Sequence, residues 1–239
     1  FILWRVNTLT DVLKQLGSTN TYADICYMLS LARRDVAKAT QSCNEDNALN
    51  SIQRNIEVLS ELATGIYRKT PPAPAIYFFE KLNKIIERAN KEMSDIPIVF
   101  KLSTDKPIYE DIPVNISEKL LYVCMFSVLK AMVRCSDRNL FVLSVSVSDN
   151  NINFSSSFSM SADTHTGMIA DDFEMYSAKL YIGYIGGKMS YNIKDSIGRL
   201  EIAIPTGDSS TLNSPLYAVP PETCEKLAGV FMRGIADKK

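Results

Sequence analysis

Between Glu118 and Cys135 the sequence EKLLYVCMFSVLKAMVRC sets Leu120, Leu121, Cys124, Val128, Leu129 and Met132 at intervals of three and four. That spacing predicts a buried amphipathic helix. The same period runs through the first seventy residues. Leu3, Val6, Leu9, Leu13 and Leu16 make a stripe over 1–16, with Gly17 as a C-cap and Thr19 to Thr21 as N-cap candidates for the next helix. That helix, over about 22–40, carries Ile25, Leu29, Ala32, Val36 and Ala39 on one face. The polar stretch QSCNEDN at 41–47 reads as a turn, and a helix over about 46–68 carries Leu49, Ile52, Ile56, Leu59, Ala63 and Ile66. Two helices joined by a short polar turn form an antiparallel hairpin. One hairpin cannot bury both stripes, so a four-helix bundle with a second copy is expected. Packing within the monomer is the plain alternative.

Thr70-Pro71-Pro72-Ala73-Pro74 cannot continue a helix and marks a domain boundary. Beyond it Tyr77 to Glu92 is again amphipathic, through Phe78, Leu82, Ile85, Ile86 and Ala89. The period then shortens to two. Ile96 to Leu102 alternates like a strand, and after the helix at 117–134, Leu140 to Val147 does the same with Phe141, Leu143, Val145 and Val147 on one face. Asp149-Asn150-Asn151 is a turn, and Ile152 to Met160 is a strand with serines at alternate positions. Residues 161–172 have no period. A helix over 173–185 ends at Gly186-Gly187, strands at Lys188 to Asn192 and Arg199 to Ile204 flank a turn at Lys194-Asp195-Ser196, and Pro205 closes the sheet. A last helix is predicted over about 222–235, with Leu227, Val230, Phe231 and Ile235 on one side. Helices segregated to one face of a mostly antiparallel sheet define the α+β class. The division read from this pattern is 1–70, a helical dimerisation hairpin with an N-terminal helix; 76–205, an α/β unit; and 206–239, a tail carrying one helix.

Composition narrows the functional classes. Lys and Arg number 26 against 27 for Asp and Glu, in 239 residues that are 46% hydrophobic. Charge so balanced offers no steering toward nucleic acid or an anionic membrane. Five cysteines (Cys26, Cys43, Cys124, Cys135, Cys224) are scattered and odd in number, which reads as free thiols in a reducing compartment and gives a cytoplasmic expectation. No run of about 18 apolar residues is present, so membrane insertion of this segment is not expected. The chain opens on Phe1-Ile2-Leu3-Trp4 with no initiator methionine. That leaves open a longer protein around it and makes a missing targeting signal uninformative.

The order of helical hairpin, helix, strand, helix, two strands, lid, helix and two strands resembles the dimerisation and ATP-binding core of histidine kinases, whose ATP-binding half belongs to the GHKL group. The resemblance spans about 20–205. Its best local match is Ala178 to Met189, AKLYIGYIGGKM, followed by Gly198 and the IAIP that ends at Pro205. In the Glu118–Cys135 helix, Leu120, Val123 and Ala131 fit the family's N-box pattern. Phe126 and Lys130 stand where the family carries two asparagines.

The resemblance implies a fold and, position by position, a lost chemistry. The family's phosphoaccepting histidine falls on Tyr27, with Met28 and Ala32 in place of the acid and proline of that motif. Tyr27 lies off the apolar stripe, which faces it outward; a surface tyrosine without chemistry is the plain reading. His165, the only histidine, falls in the predicted lid and cannot replace a phosphoacceptor on a helix. Magnesium takes oxygen ligands, so Lys130 would repel the metal, although it could meet phosphate directly. Its plain reading is a lysine reaching to solvent from a helix edge. Phe158 occupies the position of the adenine-binding aspartate, a loss of about 1–3 kcal/mol from adenine's unpaired polar edge. A shifted register, Asp163-x-His165-x-Gly167, echoes that motif weakly. Where glycines should cradle phosphate at a helix N-terminus, the sequence has Asp171, Asp172, Phe173 and Glu174. Acids suit the helix dipole, but each repels a nearby phosphate by about 1–3 kcal/mol at 4–6 Å.

The expectation is therefore a catalytically inactive, histidine-kinase-like signalling scaffold of a two-component phosphorelay. It has a degenerate nucleotide pocket at Phe126, Lys130, Phe158, Asp171, Asp172 and Glu174, and no catalytic residue, metal or cofactor. It is expected to form a homodimer and to dock a response-regulator receiver domain or another histidine kinase near Tyr27, Arg33 and Arg34, where the arginine pair could meet a receiver's acidic pocket. A solvated basic face is the plain reading of that pair. Two alternatives stand beside this one: an atypical kinase or phosphotransfer protein using Tyr27, and a structural dimerisation domain outside signalling.

Overall fold

A computed structural model of the chain describes residues 76–104, 112–136, 138–148, 150–160, 173–207, 219–232 and 235. The predicted hairpin of 1–70, with Tyr27, Arg33 and Arg34, lies outside the described residues, as do His165, Asp171 and Asp172. The described elements run in the order β1 (Ile76–Tyr77), α1 (Phe78–Glu92), β2 (Val99–Thr104), β3 (Pro113–Val114), α2 (Glu118–Cys135), β4 (Leu140–Ser148), β5 (Asn151–Ser159), α3 (Phe173–Tyr184), β6 (Lys188–Lys194), β7 (Ile197–Pro205) and α4 (Thr223–Met232).

Five strands form one sheet in the order β2-β4-β5-β7-β6. β2 and β4 are parallel, joined through α2 as a crossover from one strand to a parallel neighbour requires. The other three pairings are antiparallel, so the sheet is mixed and mostly antiparallel, as the alternating patterns predicted. Strand burial has a period of two: Phe141, Leu143 and Val145 of β4, Ile152, Phe154 and Phe158 of β5, and Leu200, Ile202 and Ile204 of β7 are buried on the inner face. The opposite face carries Ser144, Ser155, Ser157, Arg199 and Glu201 in the open. The core lies between this inner face and the helices.

Local signals explain most boundaries. Ser117 caps α2, its Oγ accepting from the Leu120 amide at 3.5 Å. α3 ends where Gly186 takes φ +80° and the Gly187 amide donates to the Ile182 carbonyl at 2.8 Å. The β6–β7 hairpin turns through Asp195 and Ser196 at φ 52° and 60°, the left-handed pair that matches a tight hairpin to strand twist. Edge strand β2 is satisfied from within: Asn90 of α1 donates to the Phe100 carbonyl at 3.0 Å and accepts from its amide at 2.8 Å.

Three features depart from the sequence expectation. A second, two-stranded sheet pairs β1 with β3, each too short to leave a periodic signature. It holds the start of α1 through Phe78 N–H to the Ile112 carbonyl at 3.1 Å and the exit of β7 through Gly207 N–H to the Pro113 carbonyl at 2.6 Å. The strand expected over 96–102 begins three residues later, because Met93–Pro97 is a turn closing α1. The helix expected to be amphipathic, α2, is buried on nearly every face: Tyr122, Val123, Met125, Phe126 and Val133 are enclosed along with the stripe. α4 covers the second side.

Candidate functional site

α2 faces two ways. Toward α3 it turns Cys124, whose thiol lies 3.8 Å from the Ala178 carbonyl and is pushed up to about 12 by complete burial. On its other side Tyr122 and Phe126, one turn apart, are both wholly enclosed. Phe126 meets Phe231 of α4, the rings stacked at 6.1 Å between centroids and 30° between planes. Cys224, Leu227, Ala228, Phe231 and Met232 of α4 are buried with them. The Cys224 thiol is raised to about 11, chiefly by burial.

A polar rim borders this seam. The Tyr122 hydroxyl donates to Glu118; burial first, then that bond, drives the phenol well above its ordinary range. Lys81 bridges Glu80 at 2.9 Å and Glu118 at 3.4 Å. Burial works to lower the Lys81 ammonium, but the two carboxylates outweigh it and hold it above its usual value. Lys84 stands 5.8 Å over the Tyr122 ring and reaches the Pro221 carbonyl at 3.3 Å. Arg88 pairs with Glu225 of α4 at 2.6 Å, with Lys91 at 3.8 Å from the same carboxylate. Lys84, Arg88 and Lys91 follow one another at helical spacing, so α1 offers α4 a basic edge.

Phe158 belongs to a different aromatic group. Pairing between β4 and β5 stops at Ser144↔Ser155, so 140–143 and 156–159 are not paired with one another. Ser156 spans the split, its Oγ donating to the Val142 carbonyl at 2.8 Å. Phe158 fills it, 6.2 Å from the Phe141 ring and 6.2 Å from the Tyr191 ring. Gly198 lies opposite Phe158 in the β5–β7 register. A Cβ there would fall 2.7 Å from the Tyr191 oxygen and 3.0 Å from Phe158, so glycine lets the two rings close over the strand. The Tyr191 hydroxyl donates to the Met160 sulfur at 3.1 Å; burial raises the phenol far above its usual range.

The remaining sequence candidates fare unequally. Lys130 is half-buried on α2, one turn after Phe126, and has a polar or electrostatic partner. Glu174 falls in the first turn of α3. Phe126 and Phe158 sit in separate ring clusters. An open groove of about 750 Å³ lies elsewhere, lined by Lys179 and Gly183 of α3, Lys188 and Ser190 of β6, Glu201 of β7 and Asn153 of β5. It contains none of the sequence candidates. Ser190 donates to Glu201 there at 3.3 Å. Among the described residues no cluster of His, Cys, Asp or Glu could hold a metal ion. No described helix is long and apolar enough to cross a membrane.

Phe126 has no exposed surface and offers no oxygen. Sequence reasoning missed Phe231, which stacks on it, and the α1–α4 rim of Arg88, Lys91 and Glu225 beside the seam. A signal was present. The side of α2 opposite its stripe is itself apolar, and a helix apolar all round must be covered on both sides.

No family model matches the chain, and no curated protein does. Solved structures are similar at low identity. Acinetobacter baumannii histidine kinase AdeS matches at 12% identity and a TM-score of 0.48, over 76% of this chain and 96% of its own. A histidine kinase from Burkholderia phymatum STM815 matches at 12% and 0.48, over 80% and 100%. The catalytic domain of histidine kinase ThkA matches at 11% and 0.44, over 58% and 95%. Agreement at this level assigns no activity to the chain.

Proposed function

We propose that this protein is a catalytically silent, histidine-kinase-like scaffold of a two-component phosphorelay, cytoplasmic, with a GHKL-like domain that does not bind ATP. The observation that carries the reading is Phe126. At the position aligned with a magnesium-binding asparagine stands a phenyl ring with no exposed surface, stacked on Phe231. A triphosphate and its cation need hydrated, oxygen-rich surroundings; this surface gives them hydrocarbon. Phe158, at the position aligned with the adenine-binding aspartate, supports the same reading, because it is enclosed between Phe141 and Tyr191 and can accept no hydrogen bond. In this reading the 1–70 hairpin pairs two copies, and a receiver domain or another histidine kinase docks near Tyr27, Arg33 and Arg34.

The test is calorimetric titration of the purified chain with ATP, with and without magnesium, alongside thermal melting. The reading expects no heat and no rise in melting temperature at millimolar ATP. Micromolar, magnesium-dependent binding overturns it. Titration with an isolated receiver domain then tests the partner, with loss of binding in Arg33→Glu/Arg34→Glu as the expected result.

A further inference from the structure

We propose that the outer edge of β6 is a docking surface for an extended acidic segment of a partner protein, which adds to the sheet as a further strand. The inference stands on the sheet alone and is independent of the nucleotide reading.

β6 ends the order β2-β4-β5-β7-β6 and pairs with β7. The two-residue turn at Asp195 and Ser196 makes Lys194 and Ile197 a hydrogen-bonded pair. Alternation along the ladder then aims the backbone N–H and C=O of Met189, Tyr191 and Ile193 away from β7. None of these groups has a backbone partner among the described residues. The opposite edge differs, since Asn90 closes both backbone groups of Phe100 there. Side-chain burial separates β6 from its neighbours too. In the row that Met189 extends, Phe154 of β5 and Ile202 of β7 are 3% and 2% exposed. Met189, Tyr191 and Ile193 are only half-buried. The apolar inner face therefore runs out to this edge without being closed.

Side chains alternate along a strand, so an added strand lays one row beside Met189 and Ile193 and the other beside Lys188, Ser190, Asn192 and Lys194, which are exposed. The first row calls for apolar residues. The second faces a lysine at each end. The open groove of about 750 Å³ borders the start of β6, where Lys179 of α3 joins Lys188. Glu201 lines it as well and accepts from the Ser190 hydroxyl. The lysines favour carboxylates on the incoming segment. A second copy of β6 fits badly, because antiparallel pairing about Tyr191 sets Lys188 of one copy beside Lys194 of the other, and edge lysines discourage such self-pairing. Main-chain bonds would supply the attachment and the two rows its specificity.

The probe is a seven-residue peptide of alternating valine and glutamate, titrated into the full chain by calorimetry and followed by amide hydrogen exchange in nuclear magnetic resonance. At saturation, exchange at Met189, Tyr191 and Ile193 is expected to slow by about tenfold or more. Only one set of peptide amides can face β6. N-methylation of either the valines or the glutamates, and not of the other, should therefore abolish binding. Lys188→Glu/Lys194→Glu should weaken binding by about tenfold with an unchanged melting temperature, and a valine–lysine peptide should bind that variant in place of the acidic one. No heat at millimolar acidic peptide overturns the proposal. So does equal binding of both methylated isomers, which would mean charge attraction without strand pairing. Edge amides already protected in the free chain, and unchanged by peptide, also overturn it, since another copy or another part of the chain would then hold the edge.

Discussion

Phe231 stacks on Phe126 at 6.1 Å across the seam between the last helix and the central one. The contact joins residues 105 positions apart in sequence and converts one side of α2 from a surface into an interior. Truncating Phe231 to alanine removes a buried ring from a seam with little else to refill it. Phe231→Ala is expected to cost about 3–5 kcal/mol and Phe231→Leu much less, read from the midpoint of urea denaturation. Phe126→Asn buries an amide without a partner and should destabilise by a comparable amount, while ATP still produces no heat in the calorimeter.

Asn90 holds both backbone groups of Phe100 on the edge strand. Asn90→Leu leaves that amide and carbonyl unpaired at a partly buried position, an expected loss of about 1–3 kcal/mol. Asn90→Asp keeps the acceptor for the Phe100 amide but lacks the donor for its carbonyl. It should fall between the two in chemical denaturation.

Gly198 has no room for a side chain beneath Tyr191, Met160 and Phe158. Gly198→Val should overpack this cluster and lower stability by about 1–3 kcal/mol. Near-ultraviolet circular dichroism should change in the tyrosine region as the Tyr191 ring is displaced. An unchanged spectrum with unchanged stability would refute the contact.

Alkaline pH should loosen the fold in a defined window. The thiols of Cys124 and Cys224 stand at about 12 and about 11 in the folded chain, above their ordinary value near 9. A group whose folded pKa is raised stabilises fully below its unfolded pKa, and that contribution is lost as pH climbs toward the folded value. The melting temperature should therefore fall between about pH 9 and pH 11. Tyr122 and Tyr191 act in the same direction from about pH 10 upward. Cys124→Ala should flatten the pH dependence relative to its own neutral-pH value.

The ion pair between Arg88 and Glu225 is short but partly solvated. A double-mutant cycle with Arg88→Ala and Glu225→Ala is expected to return a coupling below about 1 kcal/mol. A larger coupling would make the rim, and not the ring stack, the main attachment of α4.

The range of each signal set how much was legible from sequence. Gly186-Gly187 and Asp195-Ser196 set boundaries through bonds and torsions within a few residues, so the sequence placed them, whereas Ser117, read as the first helical residue, proves to be the cap of α2. The alternation of Phe141, Leu143 and Val145 told which face of β4 turns inward, but Val147, read as a member of the same row, is exposed near the end of the strand. β1 and β3 escaped because two residues have no period, and their pairing spans Ile76 to Val114. At the candidate site the sequence read Phe126 and Phe158 as losses of polar chemistry. The rings those two side chains pack against, Phe231 in one case and Tyr191 in the other, were invisible. Ring contacts over 105 and 33 positions leave no local mark.

The sequence by itself determined the kinds and order of the longer elements and the inward face of β4. All of these come from side-chain type and from periods of two and 3.6 residues, which are properties of the chain before it folds. Only the tertiary structure decided that β2 runs parallel to β4, that β4 and β5 part around Phe158, and that the tail helix lies in the groove between α1 and α2. Those outcomes depend on which distant apolar surfaces meet. Burial is non-directional, so an apolar face states that it must be covered without stating by what.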